Sequence, residues 1–513
     1  MQQLRTPEQA AQWLRFHVRG NLRTDSRQVG DGDGFIAWPG ATVDGRRFVA
    51  AALQQGAAAC LVEQQGLEPA LEDGRIAAYT GLKADCGPIA AAYYEMPSRQ
   101  IDVLAVTGTN GKTTTTWWLA QALSALPTPM PCGLIGTLGV GHAKQPDQFE
   151  GAVASTGLTT PDPVLLQATL RSFVAAGLTA CAIEASSIGI VEHRLGGTRI
   201  RTAVFTNFTQ DHLDYHGSMQ AYWRAKAALF DWPDLQAAVV NLDDERGAEL
   251  AAHLQELALD LWTVSCAKPA RLQACDISAI GQGLRFTVCE GSQRIALSTQ
   301  ALGRYNVSNL LGVIAAMRTL GVTLADAVQA CRTLHAVPGR METVSLPEIS
   351  GTAQGLPLVV VDYAHTPDAL AQALQALQAQ AAQRGGQLWC VFGCGGDRDV
   401  FKRPLMGAMA GRYADRVLIT SDNPRKEKPE AIISQILLGL EGRSDVEVQT
   451  DRALAIAQAL EQADARDVVL VAGKGHEGYQ DVGSGRIPFS DRLEVRKALQ
   501  ARMRATAAAG GLT

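Results

Sequence analysis

Val106-Thr107-Gly108-Thr109-Asn110-Gly111-Lys112-Thr113-Thr114 is the stretch of this chain best equipped for chemistry. An apolar run precedes it and a helical segment follows. Such a turn aims backbone N–H groups and a helix N-terminus at one spot, where they cradle phosphate oxygens. Lys112 adds a point charge suited to β- and γ-phosphates, and Thr113 a hydroxyl for Mg2+. Gly108, Thr109, Asn110, Gly111 and Thr114 complete this nucleotide site. The usual P-loop has a glycine five positions before Gly111; here that position is Val106, so the loop is a tighter variant.

Carboxylates and imidazoles sit where a parallel sheet would bring them beside that loop. Glu184 ends the run Cys181-Ala182-Ile183-Glu184, and Asp211-His212-Leu213-Asp214-Tyr215-His216 follows Thr206-Asn207. The C-terminal ends of parallel strands are where such sheets bind ligands. Glu184 offers Mg2+ a hard oxygen, and His212 is a less usual ligand for that ion. Lys226, in Tyr222-Trp223-Arg224-Ala225-Lys226, reads by itself as a solvated lysine on an amphipathic helix.

Later in the chain, Asp362-Tyr363-Ala364-His365-Thr366-Pro367, Gly393-Cys394-Gly395-Gly396-Asp397-Arg398-Asp399, Ser421-Asp422-Asn423-Pro424-Arg425 and Gly473-Lys474-Gly475-His476-Glu477 each follow a short apolar run. One such segment is an ordinary turn, but four in one sheet form a polar binding rim.

The elements that must carry these segments follow from hydrophobic patterning. Strands are expected at 101–107, 178–184, 200–206, 236–242 and 259–265, then at 357–363, 388–393, 416–421, 446–449 and 467–472, separated by helix-length stretches. Strands alternating with helices imply largely parallel sheets covered on both faces. Residues 305–317 read as a helix closing the middle block. Up to about residue 100 the chain alternates short β-like pieces with alanine-rich helices and reads as a small α/β domain. The expected fold is therefore α/β in three domains: 1–100, a central P-loop parallel-sheet domain over 101–337, and a Rossmann-like domain over 338–513. The Ala/Gln-rich stretch near 370–383 is expected to be a solvated helix, and the tail after 505 a frayed end.

Composition is consistent with this. The 513 residues carry 46 basic and 51 acidic side chains, a formal charge of −5, which argues against a basic groove for nucleic acid. With 47% hydrophobic and 19% charged residues the chain can bury several cores. Its 10 cysteines lack the spacing of a zinc site or a disulfide framework and fit reduced thiols. Neither a signal-peptide core nor an apolar run of ~20 residues is present, so a cytoplasmic location without membrane insertion is expected.

Taken in order, from Asp25-Ser26-Arg27 to Phe489-Ser490-Asp491-Arg492, these motifs resemble the ATP-dependent Mur ligases of peptidoglycan assembly. The resemblance implies a domain for the UDP end of a substrate, a central ATPase domain and a C-terminal domain that receives an amino acid. It implies ATP and Mg2+, with UDP-N-acetylmuramoyl-L-alanyl-D-glutamate and meso-2,6-diaminopimelate as partners in an amide-forming reaction through an acyl phosphate. A monomer is expected. Lys112, Glu184, His212 and Lys226 match catalytic positions, and Thr113, Glu184, His212 and Lys226 the metal site. Lys226 falls where the family carries a carbamate formed with CO2, which would turn a cation into an oxygen ligand for Mg2+. Asn306 and Arg340 match nucleotide contacts. Thr24 and Ser26 match the uridine end, and Thr159, Thr160, Ser186, Glu192 and Arg194 the peptide arm. Arg398, Asp422, Asn423, Pro424, Arg425, Gly473 and Glu477 match the diaminopimelate site, where Arg425 offers a two-pronged donor to the distal carboxylate. This chain departs from the family pattern at Leu158, Ile188 and Glu192, where Asn, His and Gln are common.

Three other readings share some of these features. A folylpolyglutamate synthetase would have the P-loop and the lysine without the Asp422-Asn423-Pro424-Arg425 segment. A P-loop switch protein would hydrolyse ATP without an acceptor, and a nucleotide-sugar binder would not turn ATP over.

Overall fold

Runs of branched apolar residues flanked by glycine and polar turns give this chain its strands, and the computed structural model describes residues 1–40, 43–66, 73–142, 153–280, 283–346 and 355–510. They form two compact units. The first comprises Met1–Asn207, Gln220–Val264 and Gly312–Ala330; the second comprises Phe208–Met219, Ser265–Leu311 and Cys331–Thr513.

Within the first unit, the N-terminal sheet has five parallel strands in the order Gln2–Leu4, Ile76–Tyr79, Ala59–Glu63, Gly34–Ala37 and Leu22–Arg23. Helices Pro7–His17 and Leu82–Tyr93 cover one face, burying Trp13, Leu14 and Ile89 against Ile36 and Leu61. A second sheet runs, in parallel, Asp260–Ser265, Ala237–Asn241, Thr202–Phe205, Asp102–Thr107, Ala180–Glu184 and Cys132–Gly136. The five expected strands of this block are present, each starting about one to two residues later than hydrophobicity suggests. Cys132–Gly136 was not anticipated; its two glycines disguise a buried strand. Two short antiparallel strands, Gly139–His142 and Val153–Ala154, extend that edge.

In the second unit, Leu272–Ile280, Gly283–Glu290 and Gln293–Thr299 form an antiparallel meander, absent from the sequence reading. The C-terminal sheet is parallel in the order Leu358–Asp362, Val468–Ala472, Leu388–Phe392, Arg416–Ile419 and Val446–Val448, with Glu342–Thr343 antiparallel at one edge. Strand residues alternate between two cores. Val360, Cys390 and Leu470 pack beneath helices Pro367–Arg384, Lys402–Tyr413 and Pro429–Leu437, whereas Val361, Val391 and Val471 pack beneath Arg452–Gln462 and Asp491–Gly510. This is the doubly wound sheet the patterning implied.

Two expectations need correction. The Ala/Gln-rich helix is not merely solvated: Leu370, Leu374, Leu377 and Gln380 are buried, because alanine and leucine recur on one face. The tail after 505 continues as helix to Gly510. Among the described residues no helix is long and apolar enough to cross a membrane.

Candidate active site

The phosphate loop joins the strand Asp102–Thr107 to the helix Lys112–Ser124. Gly108, at φ 147, sits against the neighbouring strand end: a Cβ there would lie 1.9 Å from the Thr206 hydroxyl, so only glycine fits. Asn207 staples the loop. Its side-chain oxygen accepts from the Asn110 N–H at 2.9 Å, its amide donates to the Asn110 carbonyl at 3.1 Å, and its own carbonyl accepts from the Thr109 N–H at 2.8 Å. Two loop N–H groups are therefore held by Asn207, and the helix Lys112–Ser124 begins directly after the loop, its N-terminal end at the loop. Lys112 Nζ donates to the Gly108 and Thr109 carbonyls, at 2.8 Å each.

Lys226 overturns its isolated reading. It is 1% exposed, its Nζ donates to the Gly108 carbonyl at 2.7 Å, and it lies 4.5 Å from the centre of the Tyr222 ring. The Tyr222 hydroxyl in turn meets Thr109 Oγ1 at 3.2 Å. A helix whose lysine packs under a loop rather than over solvent could not be distinguished from an ordinary amphipathic helix by spacing.

Glu184, 1% exposed, closes the next strand of the same sheet. Its Oε2 accepts from Thr113 Oγ1 and Thr137 Oγ1, each at 3.1 Å, and its Oε1 accepts from the Thr137 N–H at 2.7 Å. Thr113 and Glu184 thus present hard oxygens side by side at the phosphate loop. That donor chemistry fits Mg2+, which keeps waters and phosphate oxygens for its other positions. Among the described residues no group of three or more His, Cys, Asp or Glu side chains is arranged to hold a metal. Thr137 was missed by the sequence reading because nothing marked the Cys132–Gly136 strand that ends just before it.

The residues matched to the peptide arm cluster nearby. Thr160 Oγ1 donates to the Glu184 carbonyl at 2.7 Å and meets Ser186 Oγ at 3.0 Å; Thr137 Oγ1 meets Thr159 Oγ1 at 3.0 Å. Arg194 donates to the Thr160 carbonyl at 3.0 Å, and Ser186 caps the helix Ser187–Val191. Glu192 pairs at 2.7 Å with Lys83 of the helix Leu82–Tyr93, which offsets its charge. Leu158 is 42% exposed and Ile188 half-buried. Thr24 and Ser26 lie farther along the N-terminal sheet, where Asp25 caps the turn Ser26–Gln28 and pairs with Arg27.

His212, Asn306 and Arg340 belong to the second unit. His212 adopts a left-handed φ of 51 and its Nε2 lies 3.3 Å from Asp211 Oδ2. Asn306 is buried, donating to the Leu302 carbonyl at 2.7 Å and accepting from Asn309 at 2.9 Å. The Arg340 guanidinium lies 4.2 Å over the Tyr363 ring, next to the buried Asp362, whose carboxyl burial pushes up. Burial, then the Lys402 charge, brings His365 down to about 4; burial, then Arg340 and Lys474, brings His476 down to about 3. Both imidazoles are neutral near pH 7.

The four polar strand ends of the C-terminal sheet do converge on one rim. Asn423 donates to Glu477 Oε2 at 2.8 Å, and its side-chain oxygen accepts from Lys474 Nζ at 3.0 Å and the Asp481 N–H at 2.9 Å. The Gly473 N–H donates to the Asp362 carbonyl at 3.1 Å. Lys474, fully buried, also donates to Glu477 Oε2 at 2.9 Å; its place inside the Gly473-to-Glu477 motif was the signal that could have singled it out. Arg425 follows Pro424 at a left-handed φ of 51, an uncommon conformation for a side chain, and its Nη1 donates to the Gly396 carbonyl at 2.7 Å. Asp422 is buried, and Arg398 is exposed on the Gly395–Asp399 loop.

Comparison with known proteins returns one family along the chain. Residues 20–87 match the Mur ligase family catalytic domain, 106–317 the Mur ligase middle domain, and 339–475 the Mur ligase glutamate ligase domain. The UDP-N-acetylmuramoyl-L-alanyl-D-glutamate–2,6-diaminopimelate ligase of Acidovorax sp. (strain JS42) is 59% identical over 505 residues, covering 97% of this chain and 98% of that protein. A solved structure of a protein with that activity name is 35% identical, with a TM-score of 0.63, covering 94% of this chain and 95% of its own. The ADP complex of the MurF ligase from Thermotoga maritima shares the fold at 17% identity, with a TM-score of 0.65, over 95% of this chain and 98% of its own.

Proposed function

The chain belongs to the Mur ligase family, and on that premise we propose that it uses ATP to join meso-2,6-diaminopimelate to the D-glutamate side-chain carboxylate of UDP-N-acetylmuramoyl-L-alanyl-D-glutamate, in cytoplasmic synthesis of a peptidoglycan precursor. The observation that carries the reading is the 59% identity, over nearly the full length, to a relative of that name, in a chain that also presents the Asp422-to-Arg425 rim. Residues 1–100 take the UDP end, 101–337 the nucleotide and the carboxylate that becomes the acyl donor, and 338–513 the amino acid. We take a monomer as the working unit.

A carboxylate is a poor acyl donor. Its oxygen first attacks the γ-phosphorus of ATP, releasing ADP and leaving an acyl phosphate; the amine then attacks the carbonyl carbon, and the tetrahedral intermediate expels phosphate. Before the amine arrives, every reactant is anionic. The chain must therefore concentrate positive charge and dipoles, which act strongly in a water-poor cleft. Lys112 and the helix start at Lys112–Thr114 supply both for the phosphates. Thr113 and Glu184, with His212 and a carbamylated Lys226, are assigned to Mg2+, which when bound neutralises phosphate charge. Asn306 and Arg340 are assigned to the nucleotide.

Thr24 and Ser26 are assigned to uridine, and Thr159, Thr160, Ser186 and Arg194 to the peptide arm. Glu192 supports the arm indirectly, through Lys83, rather than by touching anionic substrate. At the rim, Arg425 and Arg398 meet the distal carboxylate of diaminopimelate, with Asp422, Asn423, Gly473 and Glu477 around its ammonium. L-Lysine would bring an ammonium toward a guanidinium and leave its donors unpaired. Measuring phosphate release with ATP and Mg2+, adding the UDP-muramoyl dipeptide and diaminopimelate singly and together, tests the reading: release requiring both supports it. Release with ATP alone supports a switch protein, and no release supports a nucleotide-sugar binder.

A further inference from the structure

Beneath the rim lies a buried cation that the reaction does not consume. Arg403, on the helix Lys402–Tyr413, is 0% exposed. Taking a guanidinium out of water is costly unless its donors are met, and apolar side chains of similar volume often serve stability as well or better. Its persistence here calls for a task that apolar packing cannot do.

The donors reveal that task. Arg403 Nη1 donates to Glu427 Oε2 and Gln435 Oε1, both at 2.8 Å, and Nη2 donates to Glu427 Oε1 at 2.8 Å and to the Gly395 carbonyl at 3.1 Å. Glu427 Oε1 also accepts from the Asp397 N–H at 2.6 Å. The pair therefore ties down the Gly395–Asp399 loop at Gly395 and at Asp397, and Glu427 itself stands two positions after Arg425. Around it the loops touch. The Gly396 N–H donates to the Asn423 carbonyl at 2.9 Å, and a Cβ at Gly396 would fall 2.0 Å from the Pro424 carbonyl oxygen. Arg398 rides on one loop and Arg425 on the other. The Arg403 hydrogen bonds, then the Asp397 N–H, hold the Glu427 carboxyl down to about 2, so the clamp stays ionised through the neutral range.

We propose that the Arg403–Glu427 pair is a positioning element that sets the spacing of Arg398 and Arg425, and thereby the affinity and selectivity for an amino acid bearing a second, distal carboxylate. This rests on the reading of the rim as the diaminopimelate site. A planar fork can fix two loops at once; a lysine at 403 would keep the charge but present a single nitrogen.

The test uses the intact chain, with KM for diaminopimelate, for the UDP-muramoyl dipeptide and for ATP, selectivity against L-lysine, and thermal stability, measured on Arg403→Lys, Glu427→Gln and Arg425→Ala. Displacing binding groups by even ~1 Å costs up to about 100-fold, so both clamp variants should raise the diaminopimelate KM roughly 10-fold or more and lower selectivity, with the other two KM values within about twofold of wild type. Glu427 is partly accessible, so Glu427→Gln keeps the test open should Arg403→Lys not fold. A diaminopimelate KM unchanged in the clamp variants but raised in Arg425→Ala overturns the clamp alone. Unchanged in all three, it overturns the reading of the rim and the clamp with it. Parallel shifts in all three KM values that track lost stability show a merely structural pair and overturn the proposal.

Discussion

Lys112 and Lys226 donate to the same acceptor, the carbonyl oxygen of Gly108, at 2.8 and 2.7 Å. Two ammonium groups on one oxygen repel each other, and one of them is buried. On the proposed reading, phosphate bound beside Lys112 and a carbamate on Lys226 would relieve the conflict, the carbamate serving the metal. Lys226→Ala should therefore lose at least about 100-fold in turnover, comparable to removing a key electrostatic group from other active sites. A short carboxylate added to the assay should restore part of it. Full turnover by this variant without added carboxylate would contradict the role.

Gly108→Ala tests the loop itself. The residue's φ of 147 and the 1.9 Å approach of a Cβ to Thr206 Oγ1 mean that alanine must move either the loop or the neighbouring strand end. A cost of about 1–3 kcal/mol in stability is expected from such backbone strain, together with a raised KM for ATP. Calorimetry and steady-state kinetics read both; unchanged values would show the loop to be more accommodating than its packing indicates.

Arg425→Ala should reduce the preference for diaminopimelate over L-lysine by about 2 kcal/mol, roughly 30-fold, the scale of a lost charge-assisted hydrogen bond. Competition between the two amino acids in one reaction, with products resolved by mass, gives the ratio directly. A variant that discriminates as well as the parent would remove Arg425 from the explanation.

His476 carries a pH signature. Burial, then Arg340 and Lys474, lower its pKa from 6.5 to about 3. The unfolded chain binds the proton more readily between those values, so this group's contribution is complete above pH 6.5 and is lost as pH falls toward 3. Thermal midpoints measured from pH 7 to pH 4 should fall less steeply for His476→Gln than for the parent. Identical slopes would contradict the assignment.

The parallel sheets were legible because their strands are continuous apolar runs punctuated by glycine-rich polar ends, and those ends carry the candidate site. The meander at 272–299 escaped because its strands expose one face and carry little contiguous apolar sequence. Lys226 and Arg403 show a different limit. Both are charged residues in helices, and only tertiary packing distinguishes a solvated charge from a buried one that has found carbonyls and carboxylates. Glu192 departs from the family pattern, and its partner, Lys83, stands more than a hundred residues earlier, beyond the reach of local spacing.

The central claim is that ATP cleavage in this protein makes a D-glutamate carboxylate reactive toward diaminopimelate. Mass analysis of a reaction containing the purified protein, ATP, Mg2+, the UDP-muramoyl dipeptide and diaminopimelate tests it most directly. A single new species heavier than the dipeptide by diaminopimelate less one water, formed in step with phosphate, is the predicted result. Phosphate without that species, or no change in any reagent, would contradict it.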